Sequence, residues 1–224
     1  MAAPVGKKSA ARGAGKKTAS RDANSDGNVR PPGGFKLADL VKPGAVFSVW
    51  SSDYDASDLY PITIESIDPN GALVLSYGTP TGKATLRCEA ASTEQGQGVV
   101  FLSQFAAMTD GDTVSKNGKL TTATHSAPFL LSRALLAKLS AGEEVTLSVY
   151  SGSFAVKKVG TAQATVRIHE KPVKVQVLHA QDTTETDFSP VDLWVLDHPV
   201  WPILLKLEFG GECELSLFEI EPAK

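Results

Sequence analysis

From residue 45 onward, apolar and polar positions alternate in short runs punctuated by Gly, Pro and Asn, and one stretch breaks that rhythm: residues 127–139, APFLLSRALLAKL. Alternation with period two predicts strands that turn one face to a core, and a longer apolar run without it predicts a helix. Ser126 suits the N-cap, and Pro128 falls in the first turn, where its missing N–H has no partner to lose. Ser140, Ala141 and Gly142 end the pattern, glycine being able to take the left-handed C-cap conformation. Successive helical residues lie about 100° apart, so Phe129, Leu130, Leu131, Leu135, Leu136 and Leu139 cover most of the circumference rather than one stripe. The expectation is a helix buried on more than one side, with Ser132, Arg133 and Lys138 reaching water, docked into the concave face of a curved sheet.

Strands are expected before the helix over residues 45–51, 59–67, 72–77, 83–91, 99–107, 113–115 and 120–124, and after it over 144–150, 154–159, 162–169, 173–180, 191–196, 203–209 and 213–220. One turn over 36–41 ends at Lys42, Pro43 and Gly44, and residues 52–58, SDYDASD, read as a polar loop. Asp68, Pro69, Asn70 and Gly71 predict a hairpin, and so do Lys116, Asn117, Gly118 and Lys119. In 83–91, Ala84, Leu86 and Cys88 face inward. The last hairpin poses a register problem. Leu205, Leu207 and Phe209 share one face, and so do Cys213, Leu215 and Leu217, yet a two-residue loop at Gly210 and Gly211 would set Phe209 against Glu212. A three-residue loop over 210–212, with Phe209 opposite Cys213, is therefore expected, in the class that carries a bulge.

The length, 224 residues, is one that all-β and barrel-like folds reach as a single unit. Net charge of −3 divides unevenly: residues 1–34 carry seven Lys/Arg against two Asp, a net +5 that leaves −8 for the rest. That tail has too little apolar surface to offset the entropy of ordering, so a disordered basic segment over 1–34 and a single β-rich domain over 35–224 are expected. Lys7, Lys8, Arg12, Lys16, Lys17 and Arg21 suit nonspecific contact with a polyanion or an anionic membrane surface as well as plain solvation. Lacking aromatic residues, the tail has nothing on which bases could stack. No apolar run of about 7–15 residues follows the basic start, as a secretory signal requires, and none nears the roughly 20 residues that span a bilayer. A soluble, cytoplasmic chain is expected. Cys88 and Cys213 show no metal-binding spacing and read as buried small hydrophobes rather than as a disulfide.

The order of strands, central apolar helix, then long strands ending in LWVLDHPVWPILLKLEF resembles bacterial half-barrel proteins: periplasmic lipoprotein carriers, the violacein-pathway half-barrel enzyme and their relatives. The likeness rests on Trp194, Leu196, Asp197, Pro202 and Leu204 and on element order over residues 35–220. It implies a mainly β fold, a curved antiparallel sheet forming a half-barrel or open barrel wrapped around one central helix. The chain departs from the carriers in having no recognisable signal peptide, and no catalytic motif carries over from the enzyme.

Candidate chemistry is sparse. There is no GxSxG elbow, HExxH or P-loop, and Gly96-Gln97-Gly98 lacks the third glycine and following helix of a dinucleotide fingerprint. His169 and His179 lie ten residues apart across a hairpin expected at Glu170 to Val173. With Lys171 and Pro172 as its loop they point to opposite faces and share no metal. Asp53, Asp55 and Asp58 lack the spacing, glycine and distal glutamate of a calcium loop and read as a solvated loop. Asp197, His198 and Pro199 could pair a carboxylate with an imidazole, although turn chemistry accounts for the same residues. Trp50, Trp194 and Trp201, with Phe129, Leu131 and Leu135, are the candidates for lining an apolar groove. The function expected is therefore non-enzymatic binding of a lipophilic ligand or a partner's hydrophobic segment, with no cofactor or metal. The rivals are a cofactor-free enzyme using the same groove and an assembly component docked through its basic tail.

Overall fold

The computed structural model describes residues 40–53, 56–79, 82–100, 120–123, 126–149, 152–185, 189–210 and 212–223. The chain is mainly β, with strands β1 (Val46–Asp53), β2 (Ala56–Ile67), β3 (Leu73–Thr79) and β4 (Gly82–Cys88), a short helix α1 (Ala90–Gln95), then β5 (Gly98–Val100), β6 (Leu120–Ala123) and β7 (Ser126–Pro128). Helix α2 (Arg133–Ser140) leads to β8 (Val145–Val149), β9 (Gly152–Ile168), β10 (Lys171–Asp182), β11 (Val191–Leu196), β12 (Leu204–Phe209) and β13 (Glu212–Glu221). The basic segment 1–34, most of the turn at 36–41, the hairpin turn at Lys116 to Lys119 and most of the strand at 99–107 lie outside the described residues.

Among the described residues the strands form one curved sheet in the order β6-β4-β3-β2-β1-β13-β12-β11-β10-β9-β8-β5-β7. The sheet is mixed, not antiparallel as expected, because β4–β6, β5–β7, β5–β8 and β9–β13 pair in parallel. Parallel neighbours need a crossover instead of a tight turn, and the stretch between Cys88 and Leu120, which carries α1, supplies one. Pairing of Arg167 with Glu219 and of Ile168 with Ile220 closes β9, β10, β11, β12 and β13 into a five-strand ring. The two ends of the order, β6 and β7, are consecutive in the chain with two residues between Ala123 and Ser126. That is a span of at most about 11 Å, so the sheet turns back on itself.

Local chemistry explains most element ends. Between β2 and β3, Gly71 takes φ 90° while its N–H donates to the Asp68 carbonyl at 2.8 Å and the Ala72 N–H donates to Asn70 Oδ1 at 3.2 Å. The segment read as a polar loop at 52–58 is instead mostly strand, with Ser52 paired to Ser57 and Asp53 to Ala56, since a ladder requires only backbone groups. The two strands expected at 154–159 and 162–169 are one continuous β9. Val159, 55 % exposed, is the extra residue of a bulge, since His179 faces Gly160 and Ala180 faces Lys158.

Two loops differ from expectation. The β9–β10 turn consists of His169 and Glu170, not Lys171 and Pro172, and both take positive φ, 49° and 63°, as a type I′ hairpin demands. Pro172 sits opposite Arg167 within β10. Its nitrogen points away from β9, toward a stretch that β11 does not reach, because β11 pairs only from Val177 onward. In the last hairpin Phe209 does face Glu212, and the offset is made one step inside the strands: Glu208 faces Cys213 while Leu207 faces Leu215. The bulge is thus in β13 rather than in the loop, and it aligns Leu207 with Leu215 on the core side.

The helix also begins later than expected. Ser126, Ala127 and Pro128 pair with β5 at the end of the sheet, an edge position where proline is tolerated. Phe129 turns the chain with φ 46°, and Leu130 bridges Ile203. Ser132 is the N-cap, its Oγ accepting the Leu135 N–H at 3.3 Å. At the other end the Gly142 N–H donates to Leu139 O at 2.9 Å and the Glu143 N–H to Lys138 O at 3.0 Å, a Schellman closure around Gly142 at φ 81°. Within α2 the buried residues are Leu135, Leu136 and Leu139, while Ala137, Lys138 and Ser140 are exposed. The apolar girth that predicts a helix buried on more than one side belongs to two structures, an extended segment and a one-sided helix. Phe129 stacks on Phe47 at 4.9 Å in a core that runs from Leu40 to Ile220.

Candidate functional site

Inside the five-strand ring is a small apolar cavity. Its walls are Val166 of β9, Val175 of β10, Leu196 of β11, Ile203 and Leu205 at the start of β12, Leu217 and Ile220 of β13, and Leu40 from the segment before β1. Every one of these residues is at most 5 % exposed. The void is ≈ 10 Å³, at the lower limit of the space one water occupies, and its hydrocarbon walls offer a water no hydrogen bond. None of the eight is among the residues expected from the sequence to line a groove. Their inward facing follows from strand alternation, but their convergence depends on the β9–β13 pairing between residues about fifty positions apart in the chain, for which no local signal exists.

The residues expected to line a groove are dispersed. Phe129, Leu131 and Leu135 are buried in the core. Trp50 and Trp194 lie in a cross-strand row that runs Gly160, His179, Trp194, Lys206, Ser216, Trp50 and Leu59 from β9 to β2, with Trp194 packed in part against the core. They are three strand spacings apart, about 14 Å. Trp201 packs against the core from the β11–β12 connection.

Around Trp194 the row is tightly built. The His179 ring stacks on it at 4.8 Å with 6° between planes, and Lys206 Nζ lies 4.9 Å from its centroid. His179 Nε2 is 2.6 Å from Asp192 Oδ1, and Lys206 pairs with Glu208. Asp192 and Glu208 face each other across β11 and β12, and each carboxylate thus has its own cationic or protonatable partner. A carboxylate-oriented imidazole is one requirement of acid–base catalysis. Among the described residues, however, no Ser, Thr or Cys side chain is bonded to His179, and the stacking ties the ring to the sheet. The cluster links β10, β11 and β12.

His169 occupies the turn and His179 pairs with Gly160 far along the hairpin, so the two do not meet. Among the described residues no group of three or more His, Cys, Asp or Glu is placed to hold a metal ion. Asp53 and Asp58 belong to β1 and β2, and Asp55 lies outside the described residues. In the Asp197, His198, Pro199 segment, His198 Nδ1 accepts the Trp201 N–H at 3.0 Å and the Val200 N–H at 3.4 Å. Burial holds this imidazole below its ordinary pKa, against the pull of Asp197. A neutral ring that accepts two backbone N–H groups orders the connection. Cys88 is buried on β4. No helix among the described residues is long and apolar enough to cross a membrane. Comparison with protein-family models, with curated proteins and with solved structures finds no match.

Proposed function

We propose that this protein is a non-enzymatic binding protein whose apolar interior accepts a lipophilic ligand, the curved sheet serving as a half-barrel that encloses the segment from Phe129 into α2. The observation that carries this reading is the cavity of the five-strand ring, whose lining is hydrocarbon throughout. Such a lining discriminates by size and apolarity alone, because a polar ligand entering it would lose its hydrogen bonds to water and gain none. The Trp194 cluster is used up in its own stacking and ion pairs and leaves the binding role to the interior.

The test is titration of the full chain with a neutral apolar fluorescent probe at low and at moderate salt. Burial of an apolar group responds little to ionic strength, whereas contact between a Lys/Arg-rich segment and a polyanion weakens steeply as salt rises. The expected result is saturable binding with nearly equal affinity at both salt concentrations. Absence of binding, or affinity that collapses as salt rises, would overturn the reading.

A further inference from the structure

The geometry points to Leu40 as a built-in occupant of the binding cavity, held there in competition with the end of an aliphatic chain; this rests on the apolar-interior reading above. Seven of the eight wall residues lie on the ring strands or directly before β12, and Leu40 alone comes from outside the ring. It is 1 % exposed, and Val41 beside it 4 %. Yet neither residue belongs to a strand, and the bonds that tie the segment to the sheet start further on, where the Lys42 carbonyl accepts the Ala45 N–H at 3.0 Å and the Gly44 N–H donates to Ile64 O at 2.7 Å. Leu40 is thus kept in place by hydrophobic burial and by the turn behind it, not by the sheet.

Withdrawing Leu40 would break no strand pairing, whereas removing any wall residue on a strand would disturb the ladder. The void beside it is too small for a ligand. Space for a hydrocarbon chain therefore arises only if a wall leaves, and Leu40 is the wall that can. The group that fits the vacated volume has the chemistry of a leucine side chain: the end of a flexible, uncharged aliphatic chain. Occupancy by such a chain would release Leu40 and, with it, Val41.

Decanol is a suitable probe, followed by displacement of the fluorescent probe and by backbone hydrogen exchange. The expected results are that decanol speeds exchange at the Val41 amide in the unaltered chain while Gly44, bonded to Ile64 O, keeps its protection, and that Leu40→Ala binds decanol at least about tenfold more tightly, a difference of roughly 1.4 kcal/mol. Leu40→Val, which removes less, should fall between the two and serves if the alanine variant does not fold. If decanol binds but the variants bind it no more tightly and exchange at Val41 is unchanged, Leu40 is fixed core and the competition is overturned while the apolar-interior reading stands. If decanol binds neither the unaltered chain nor a folded variant, that reading fails, and this inference with it.

Discussion

His198 shows how a residue suited to catalysis is spent on structure. Its Nδ1 is occupied by the N–H groups of Trp201 and Val200, and protonating that nitrogen would replace two accepted hydrogen bonds with a donor facing donors. Burial already disfavours the charged ring and lowers its pKa in the folded protein. The unfolded chain, with a histidine near its ordinary value of about 6.5, takes up the proton first as pH falls. Between that value and the lower folded one the unfolded state binds more protons, so stability decreases with falling pH in this window and levels off below it. His198→Asn keeps an acceptor near the Nδ1 position and removes the titration. Thermal unfolding across roughly pH 5–7.5 should therefore show a shallower loss of stability at the acid end for the variant; an identical slope would mean that His198 is not the group responsible.

At the scale of elements, α2 is stabilised by one buried stripe and two well-made caps. Leu135→Ala should cost about 2–5 kcal/mol in denaturant unfolding, the range for truncating a buried leucine; a cost below about 1 kcal/mol would place that side chain at the surface. The C-terminal cap was legible, because Gly142 is the residue that a left-handed closure favours. The N-terminal boundary was not, because Ser126 and Pro128 suit a helix start and an edge strand equally, and it is the distant partner β5 that decides. Helix α1, AASTEQ, has no apolar stripe to read, and its N-cap Glu89 makes no side-chain capping bond. The Asn70-Gly71 hairpin was fully local and therefore readable. For β12 and β13 the apolar faces demanded an odd offset, and the offset exists, but only the assembled sheet determines whether the bulge falls in the turn or in the strand.

At the scale of the molecule, strand content followed from alternation, whereas the parallel pairings, the five-strand ring and the cavity within it arise from contacts between distant segments. The tryptophans drew attention as large aromatic surface, but in the folded chain Trp194 is enclosed by His179 and Lys206. The interior space lies instead among aliphatic residues that looked like ordinary strand cores. The central claim is that a lipophilic ligand enters this ring, and the most direct measurement is NMR of the full chain with labelled Val, Leu and Ile methyl groups in the presence of decanol. Intermolecular contacts should connect the decanol chain with methyls of Val166, Val175, Leu196, Leu205 and Leu217. Contacts confined to the exposed Leu59, or no contacts with any methyl group at saturating decanol, would contradict the account.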